Sequence, residues 1–404
     1  MLIACLAAVS PAGLPSHPAE WARMESIWMA WATYDHRRGH SVHAVQARII
    51  RALRGVARVD LIVQDAATEA SARRQLRGLP HVRYHRRPGG EIWTRDFGPV
   101  FLSAPFGDRM AASYQFNYWG YDRDMGAQTQ VIDRLDDYFG TKQTGSVIRS
   151  EIISEGGNRE FNGQGTMLSV SAVEQDRNPG LSLDDLANEH QRTLGISQVV
   201  WLPYGGAEDD QTFRGPLPGD VYTVIATGGH VDNAARFTPS GAILVPYVTA
   251  AEAAKSPIAR ISRTRFLANE AALRKARDEM GRPFRLVRVP APDPILTTMA
   301  PGDGVYDYIS TLRYAKPFPK GKPVKVVLAA SYLNFLIING TIITSALWKP
   351  GRAASLKTKD AEMRAILRRE FPKYRIVEID SEAVNLGGGG IHCITQGMVA
   401  ATQP

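Results

Sequence analysis

Two hydrophobic periods alternate along the chain. Short runs rich in β-branched and aromatic residues, bounded by turn residues, predict strands. They are "RVDLIVQ" at 58–64, "PVFL" at 99–102, "GTMLSVSAV" at 165–173, "QVVWLP" at 198–203, "GAILVPYV" at 241–248 and "FRLVRVP" at 284–290. A longer run, "LNFLIINGTIITSAL" at 333–347, contains Asn339-Gly340, a pair that favours the positive φ angles of a tight hairpin. Between these runs, apolar residues recur at spacings of three and four over 42–55, 266–280 and 358–371 and predict helices. A further helix over 182–195 starts on Ser182 as a cap and stops at Gly195. Hairpins and helices alternate throughout, which points to one α/β body, neither a doubly wound sheet nor two halves on a linker. No internal sequence repeat is strong enough to show a propeller.

Length and composition set the outer bounds. The chain has 404 residues, 44% hydrophobic and 22% charged, ordinary for a globular protein. The pattern divides it into a stub at 1–16, either disordered or the remnant of a signal, and a single body at 17–402. No run of 18 apolar residues occurs, so no membrane span is expected. The net charge is +8, with basic residues gathered in "RRQLRGLPHVRYHRR" at 73–87. A basic excess permits nucleic-acid binding, but no zinc-finger, basic-zipper or RNA-binding spacing accompanies it, and a solvated basic surface is the expectation. The only cysteines are Cys5 and Cys393. They cannot form a disulfide framework, which points to a reducing compartment. The apolar start "MLIACLAAV" has no Lys or Arg before it, unlike a secretory signal. The location expected is cytoplasmic, or exported if that start is a trimmed signal.

Chemistry concentrates in four places. Asp96 lies in "EIWTRDFGPVF" at 91–101, Glu155 in "SEGGNREFNGQGT" at 154–166, and His230 and Asp232 in "ATGGHVDNAARF" at 226–237. Cys393 follows four glycines in "NLGGGGIHCITQ" at 385–396. If 229–233 is extended, His230 and Asp232 point to the same face. A cysteine, a histidine and several carboxylates together read as a nucleophile, a general acid/base and a cage for a cation. Each piece also has a plainer reading: an inert buried thiol, a strand-start ion pair at Arg95-Asp96, a simple turn at Glu155-Gly156-Gly157. As metal ligands, His230 and Asp232 find no familiar zinc spacing with His190 or His392, so neither a metal nor an organic cofactor is expected.

Taken in order, Asp96, Glu155, His230-x-Asp232 and Cys393 resemble the agmatine deiminase family and the related bacterial peptidylarginine deiminases. The resemblance runs from about 18 to 398. It includes "PAEW", "WMAW", "RDFGPVF", "FNYWG", "EGGNREFNGQGT", "DRNPGLS", "VVWLPYG", "GGHVDNAARF", "LAASYLNFLIING" and "GGGGIHCITQ". It implies a pentein, five ββαβ-type modules in a pseudo-fivefold α/β propeller with the active site at its centre. By that likeness Cys393 attacks a guanidinium carbon to form an amidino-cysteine, ammonia leaves, and water releases a ureido product. His230 would be the acid/base, and Asp96 and Asp232 would hold the guanidinium nitrogens. The substrate is then a small guanidino cation, most naturally agmatine giving N-carbamoylputrescine, with no nucleic acid or membrane involved and a homo-oligomer left open.

Two carboxylates on the N–H fork of a guanidinium orient it and keep it cationic. Empty, they should repel and share a proton. Gly387 to Gly390, Gly389 among them, would let the backbone close on the flat cation. Trp93 would wall the alkyl chain or simply pack the core, and Glu155 would contact substrate or shape the pocket. His392, next to Cys393 on an extended chain, would face the other way and be structural. Departures from the family pattern fall at "EDDQT", separated from "GGHVD" by an insertion at 213–227, at Gly228, and at Gly390. They bear on the far end of the substrate. Arginine or peptidyl-arginine deimination, amidino transfer to an amine, and a non-catalytic basic binder are the alternatives.

Overall fold

The computed structural model of the protein describes residues 15–89, 91–104, 108–121, 138 and 140–401. Cys5, nearly all of the expected stub and position 402 lie outside the described residues. Pro15 and Ser16, assigned to the stub from sequence, already belong to the packed body. Ser16 exchanges two backbone hydrogen bonds with Ser103, at 2.9 and 3.0 Å.

Among the described residues the strands form six small sheets. Five share one pattern, in which a strand pairs antiparallel with a second, and the second pairs parallel with a third that follows it in the chain. The triplets are Val100–Ser103, Arg109–Gln115 and Val147–Ile153; Glu160–Phe161, Thr166–Val170 and Gln198–Leu202; Arg236–Phe237, Ala242–Tyr247 and Arg285–Pro290; and Leu336–Ile338, Thr341–Ser345 and Arg375–Ile379. The fifth joins the two ends of the chain, with Gln396–Val399 antiparallel to Met24–Ala30, then Arg58–Val63 and an added Val82–Arg86 in parallel. The sixth sheet pairs the short strand Tyr222–Thr223 and Leu296–Met299 with Val324–Val327. Parallel neighbours need a long crossover, and among the described residues helices supply it in four of the five like sheets. They are Val42–Ala52, Ser171–Arg177 with Leu183–Leu194, Ala250–Lys255 with Pro257–Lys275, and Ala354–Glu370.

Local chemistry fixes many of these boundaries. Asn339 and Gly340 both take positive φ, 41° and 74°, the geometry that a two-residue hairpin demands. Ser182 and Asp185 form a reciprocal capping box, and Gly195 ends that helix at φ 60°. Ser256 caps and Pro257 opens the long helix, so it starts nine residues before the expected 266. The run expected as a strand over 165–173 becomes a helix at Ser171. Its turn puts Val173, Glu174 and Arg177 on one buried face, which a strand would have split between two. No helix among the described residues is long and apolar enough to cross a membrane.

Candidate active site

The loops leading into the first strand of each of the five like sheets carry the polar residues. Asp96 sits on the helical turn Thr94–Phe97 before Val100–Ser103. Glu155 precedes the turn Gly156–Asn158, and His230 caps the turn Val231–Asn233. Asn334 precedes Leu336–Ile338, and Cys393 precedes Gln396–Val399. All six of Asp96, Glu155, His230, Asp232, Asn334 and Cys393 are buried.

Three of them meet over Gly157. A Cβ built on that residue would lie 2.5 Å from His230 Nδ1, 2.7 Å from Asp96 Oδ1 and 3.3 Å from Asp232 Oδ2. Any side chain there would occupy the space between the charged groups, which is why the second glycine of "EGG" is required. Its N–H donates to Asp96 Oδ1 at 3.0 Å, and the indole N–H of Trp119 donates to Asp96 Oδ2 at 2.9 Å. Trp119 is held in the left-handed region at φ 58°, a strained backbone for a bulky residue. The Gln211 side-chain amide donates to its carbonyl at 2.5 Å.

His230 lies between two acids. Its Nε2 is 3.3 Å from Glu155 Oε2 and its Nδ1 3.5 Å from Asp96 Oδ1. Burial alone would lower its pKa, but Asp96, Glu155 and Asp232 outweigh burial and raise it to about 9. Burial, with Asp232 and Glu155 nearby, lifts Asp96 to about 6, against the pull of His230 and the Trp119 N–H. Asp232 stays below the usual carboxylate range: burial pushes it up, and the hydrogen bond and charge of His392, with His230 and Arg236, more than reverse that. Of the two aspartates, Asp96 is therefore the one poised to take a proton.

The Cys393 sulfur is 3.5 Å from Asp232 Oδ2, and the side-chain amide of Asn334 donates to it at 3.1 Å. Burial first, then Asp232 and Asp96, push its pKa well above the ordinary range. Without a cation the group is a thiol. A cation seated between the carboxylates would cancel both repulsive contributions and favour the thiolate.

Several expectations change. Residues 229–233 are not extended; His230 and Asp232 reach one pocket because a tight turn follows His230. His392 does not face away either. Residues 391–394 form a turn, and His392 Nδ1 lies 2.8 Å from Asp232 Oδ2, the same oxygen that faces Cys393. The four glycines mostly make room for protein rather than substrate. A Cβ on Gly387 would strike the His36 ring at 2.1 Å, one on Gly388 the Ile225 carbonyl at 1.8 Å, and one on Gly390 the Asn334 Oδ1 at 2.5 Å. Gly389 alone faces the site, 2.6 Å from Trp93 and 2.9 Å from the Cys393 sulfur by the same measure. Trp93 is 3% exposed and stacks parallel to His36 at 5.7 Å, so it packs the core and lines Gly389 at once. Glu155 is committed to protein: Arg177 Nε donates to its Oε1 at 2.7 Å. Burial would raise its pKa, and Arg177 and His230 instead hold it at about 2.

The insertion at 213–227 does not carry the acidic stretch away. Asp209 accepts from the Thr227 N–H at 2.7 Å, the Thr227 hydroxyl at 2.6 Å and the His230 N–H at 3.1 Å, so it clamps the His230 loop. Sequence reasoning missed Asn334, Trp119, Arg177 and Asp209 as parts of the site. Each lies in a stretch that the resemblance or its departures singled out, but its partner in the site is distant in sequence and nothing local marks its role. Among the described residues, no three His, Cys, Asp or Glu side chains are grouped to hold a metal ion.

Known proteins share this chain's pattern over nearly its full length. The sequence profile of the Porphyromonas-type peptidyl-arginine deiminases matches residues 16–398. An agmatine deiminase of Pseudomonas fluorescens is 30% identical over 396 residues, covering 94% of each chain. The solved agmatine deiminase of Enterococcus faecalis superposes with a TM-score of 0.72 at 22% identity, covering 98% of this chain and 99% of its own. That of C. jejuni with substrate bound superposes at 0.69 and 19% identity, covering 97% and 98%. At those identities the solved structures speak for the mixed α/β fold. The profile match and the curated relative carry the assignment: the chain belongs to the Porphyromonas-type peptidyl-arginine deiminase family, and it is an enzyme, a hydrolase of amidine carbon–nitrogen bonds.

Proposed function

We propose that this protein converts agmatine to N-carbamoylputrescine and ammonia through an amidino group carried on Cys393. The observation that carries this reading is the buried meeting of Asp232, Asp96 and His230 around Gly157, with the Cys393 sulfur 3.5 Å from Asp232 Oδ2. Supporting the choice of substrate is the 30% identical relative, which bears the name agmatine deiminase. The same reading sets the five like sheets about a pseudo-fivefold axis, the pentein, with their leading loops meeting at its centre. The repeated sheet pattern supports that arrangement.

The chemistry follows from the charges. The guanidinium enters between Asp96 and Asp232, which bind its N–H groups and keep the carbon electrophilic. Its positive charge lowers the thiol pKa, the thiol proton passes to solvent, and the thiolate adds to the carbon to give a neutral tetrahedral adduct. His230 enters the reaction as the imidazolium and gives its proton to one nitrogen, so ammonia leaves and a cationic amidino-cysteine remains. The neutral His230 then takes a proton from water, hydroxide adds, and collapse to the C=O expels the sulfur as the hydroxyl proton passes to it, restoring the thiol and releasing the ureido product. Glu155, fixed by Arg177, orients His230 through both steps.

Two measurements test this. A panel of agmatine, arginine and C-terminal-arginine peptides, assayed for ammonia and ureido product, is expected to give the highest kcat/KM with agmatine. The family description favours a second reading, in which arginine or peptidyl-arginine gives citrulline, and a higher kcat/KM for either would select it. Appearance of a new guanidino compound with an amine acceptor would select transfer instead. The second measurement is kcat/KM against pH, which reports groups of the free enzyme. Below about 6 Asp96 gains a proton and loses its grip on the cation, and above about 9 His230 has no proton to give. Because the thiol proton goes to solvent, kcat/KM is expected to rise with pH between those values, more steeply below the lower one, and to level off above the upper one; a profile still rising beyond it would remove His230 as the acid.

A further inference from the structure

His392 and Glu20 take no part in the reaction just derived, yet they are among its best-connected neighbours. His392 is 1% exposed. One ring nitrogen lies 2.8 Å from Asp232 Oδ2 and the other 2.6 Å from Glu20 Oε1. Burial would raise the Glu20 pKa, but His392, Arg95 and Arg236 hold it well below the usual range, and Asp232 is also depressed. Both carboxylates are therefore ionised. An ionised carboxylate only accepts hydrogen bonds, so each ring nitrogen of His392 faces an acceptor that calls for an N–H.

Glu20 has its own anchors. Arg95 Nη2 lies 2.8 Å from Oε1, and Arg236 Nη2 donates to Oε2 at 2.5 Å. Arg95 precedes Asp96 in sequence, and Arg236 donates to the carbonyls of Leu333 and Phe335, on either side of Asn334. One carboxylate from the segment leading into the first strand thus ties together four of the five loops that form the site. At the other end of the chain of bonds, Asp232 Oδ2 is engaged by His392 while Oδ1 is buried with no partner. The sulfur lies against Oδ2, and the buried, unpartnered Oδ1 of the same carboxylate is an acceptor waiting for a donor.

Resting on the deimination reading, we propose that His392, anchored by Glu20, is a positioning residue: it keeps Asp232 charged and rotated so that Oδ1 faces the substrate cation. The groups facing Asp232 are His392, His230, Arg236, Asp96 and Cys393; those facing His392 are Asp232, Glu20 and Glu160. Removing the charge at 392 leaves two acids at 96 and 232 against His230 and Arg236. The Asp232 pKa must then rise toward that of Asp96.

The test is His392→Gln, which keeps a donor for Asp232 without the charge. Wild type and variant are compared by kcat/KM against pH, on whichever guanidino substrate the wild type turns over. They are also compared by the rates at which Cys393 reacts with 2-chloroacetamidine, a cation, and with neutral iodoacetamide. For His392→Gln, kcat/KM is expected to fall about tenfold to a hundredfold, mostly through KM. The steep limb below about 6 should move up and steepen by one further proton, because Asp232 joins Asp96. Chloroacetamidine inactivation should slow by about tenfold or more, with the iodoacetamide rate no lower than in wild type. A folded variant with an unchanged acidic limb and chloroacetamidine rate overturns the proposal. If His392→Gln fails to fold, Glu20→Gln is read in the same way, with the same direction expected and an unchanged profile again overturning it. Failure of the parent reading looks different, since wild type would then release no ureido product from any guanidine.

Discussion

Cys393→Ala is expected to lower ureido product formation by about 10⁴-fold or more, in a protein that still folds and still binds the substrate. The fold should survive because the sulfur is uncharged in the empty site and has few partners. Its donor, the Asn334 amide, keeps a second acceptor in Asn233 Oδ1 at 3.1 Å. Losing one buried sulfur and a weak hydrogen bond costs about 1–2 kcal/mol. Binding should survive because the groups proposed to grip the cation, Asp96 and Asp232, keep their own supports in Trp119, Gly157 and His392. Turnover should not survive. Water would have to attack a resonance-stabilised guanidinium directly, with His230 already protonated and so unable to act as the base in the first step. Isothermal titration with substrate and an ammonia assay on the same preparation separate the two outcomes. Residual turnover within about tenfold of wild type would mean that the sulfur is not the nucleophile, and the covalent route would have to be abandoned.

The parts of the fold that could be read from the sequence are those set by neighbours in the chain. Asn339-Gly340 specifies its hairpin through two positive φ angles, and Ser182 and Gly195 mark both ends of their helix. The run at 165–173 was misread as strand throughout because the residues that decide it are distant. Glu174 is buried against Ser154 and Asn158, and Arg177 against Glu155 and the Thr227 carbonyl. Satisfying those charges requires a helical face from Ser171 onward. The pairing of Met24–Ala30 with Gln396–Val399 has no local signal at all, since its partners lie at opposite ends of the chain.

The site divides in the same way. Asp96, Glu155, His230, Asp232 and Cys393 have reactive side chains in recognisable blocks, and the structure brings them into one buried space. Their orientation could not be read from local geometry: turns, not extended segments, carry His230 and His392, and both of the face arguments made from strand alternation fail for that reason. The supporting residues are legible only in three dimensions. Glu20 bonds His392 across 372 positions, and Asn334 reaches Cys393 across 59. Nothing in "PAEW" or "LNF" marks a residue whose task is to hold another.

Asp96→Asn is expected to drive apart two reactivities of Cys393 that usually change together. Substrate turnover should fall about 10³-fold, while alkylation by neutral iodoacetamide should speed up severalfold at pH about 7.5. Asp96 acts on three partners at once. In the proposed reaction it is one of the two acceptors for the cation, and a neutral amide cannot replace a charge-assisted pair. It is the leading group that raises His230 to about 9, so the pH at which kcat/KM levels off should move down as the imidazolium loses that support. It is also one of two carboxylates that suppress the thiolate, so its loss frees the sulfur toward reagents that need no cation seat. The sign of each effect follows from the removal of one negative charge. The cost to the fold is small by comparison. Asn can keep one of the two hydrogen bonds from Gly157 and Trp119, and losing the other costs about 1–3 kcal/mol. Alkylation and turnover falling together would indicate a collapsed loop. Turnover left intact would take Asp96 out of the cation seat and leave Asp232 to hold the substrate alone.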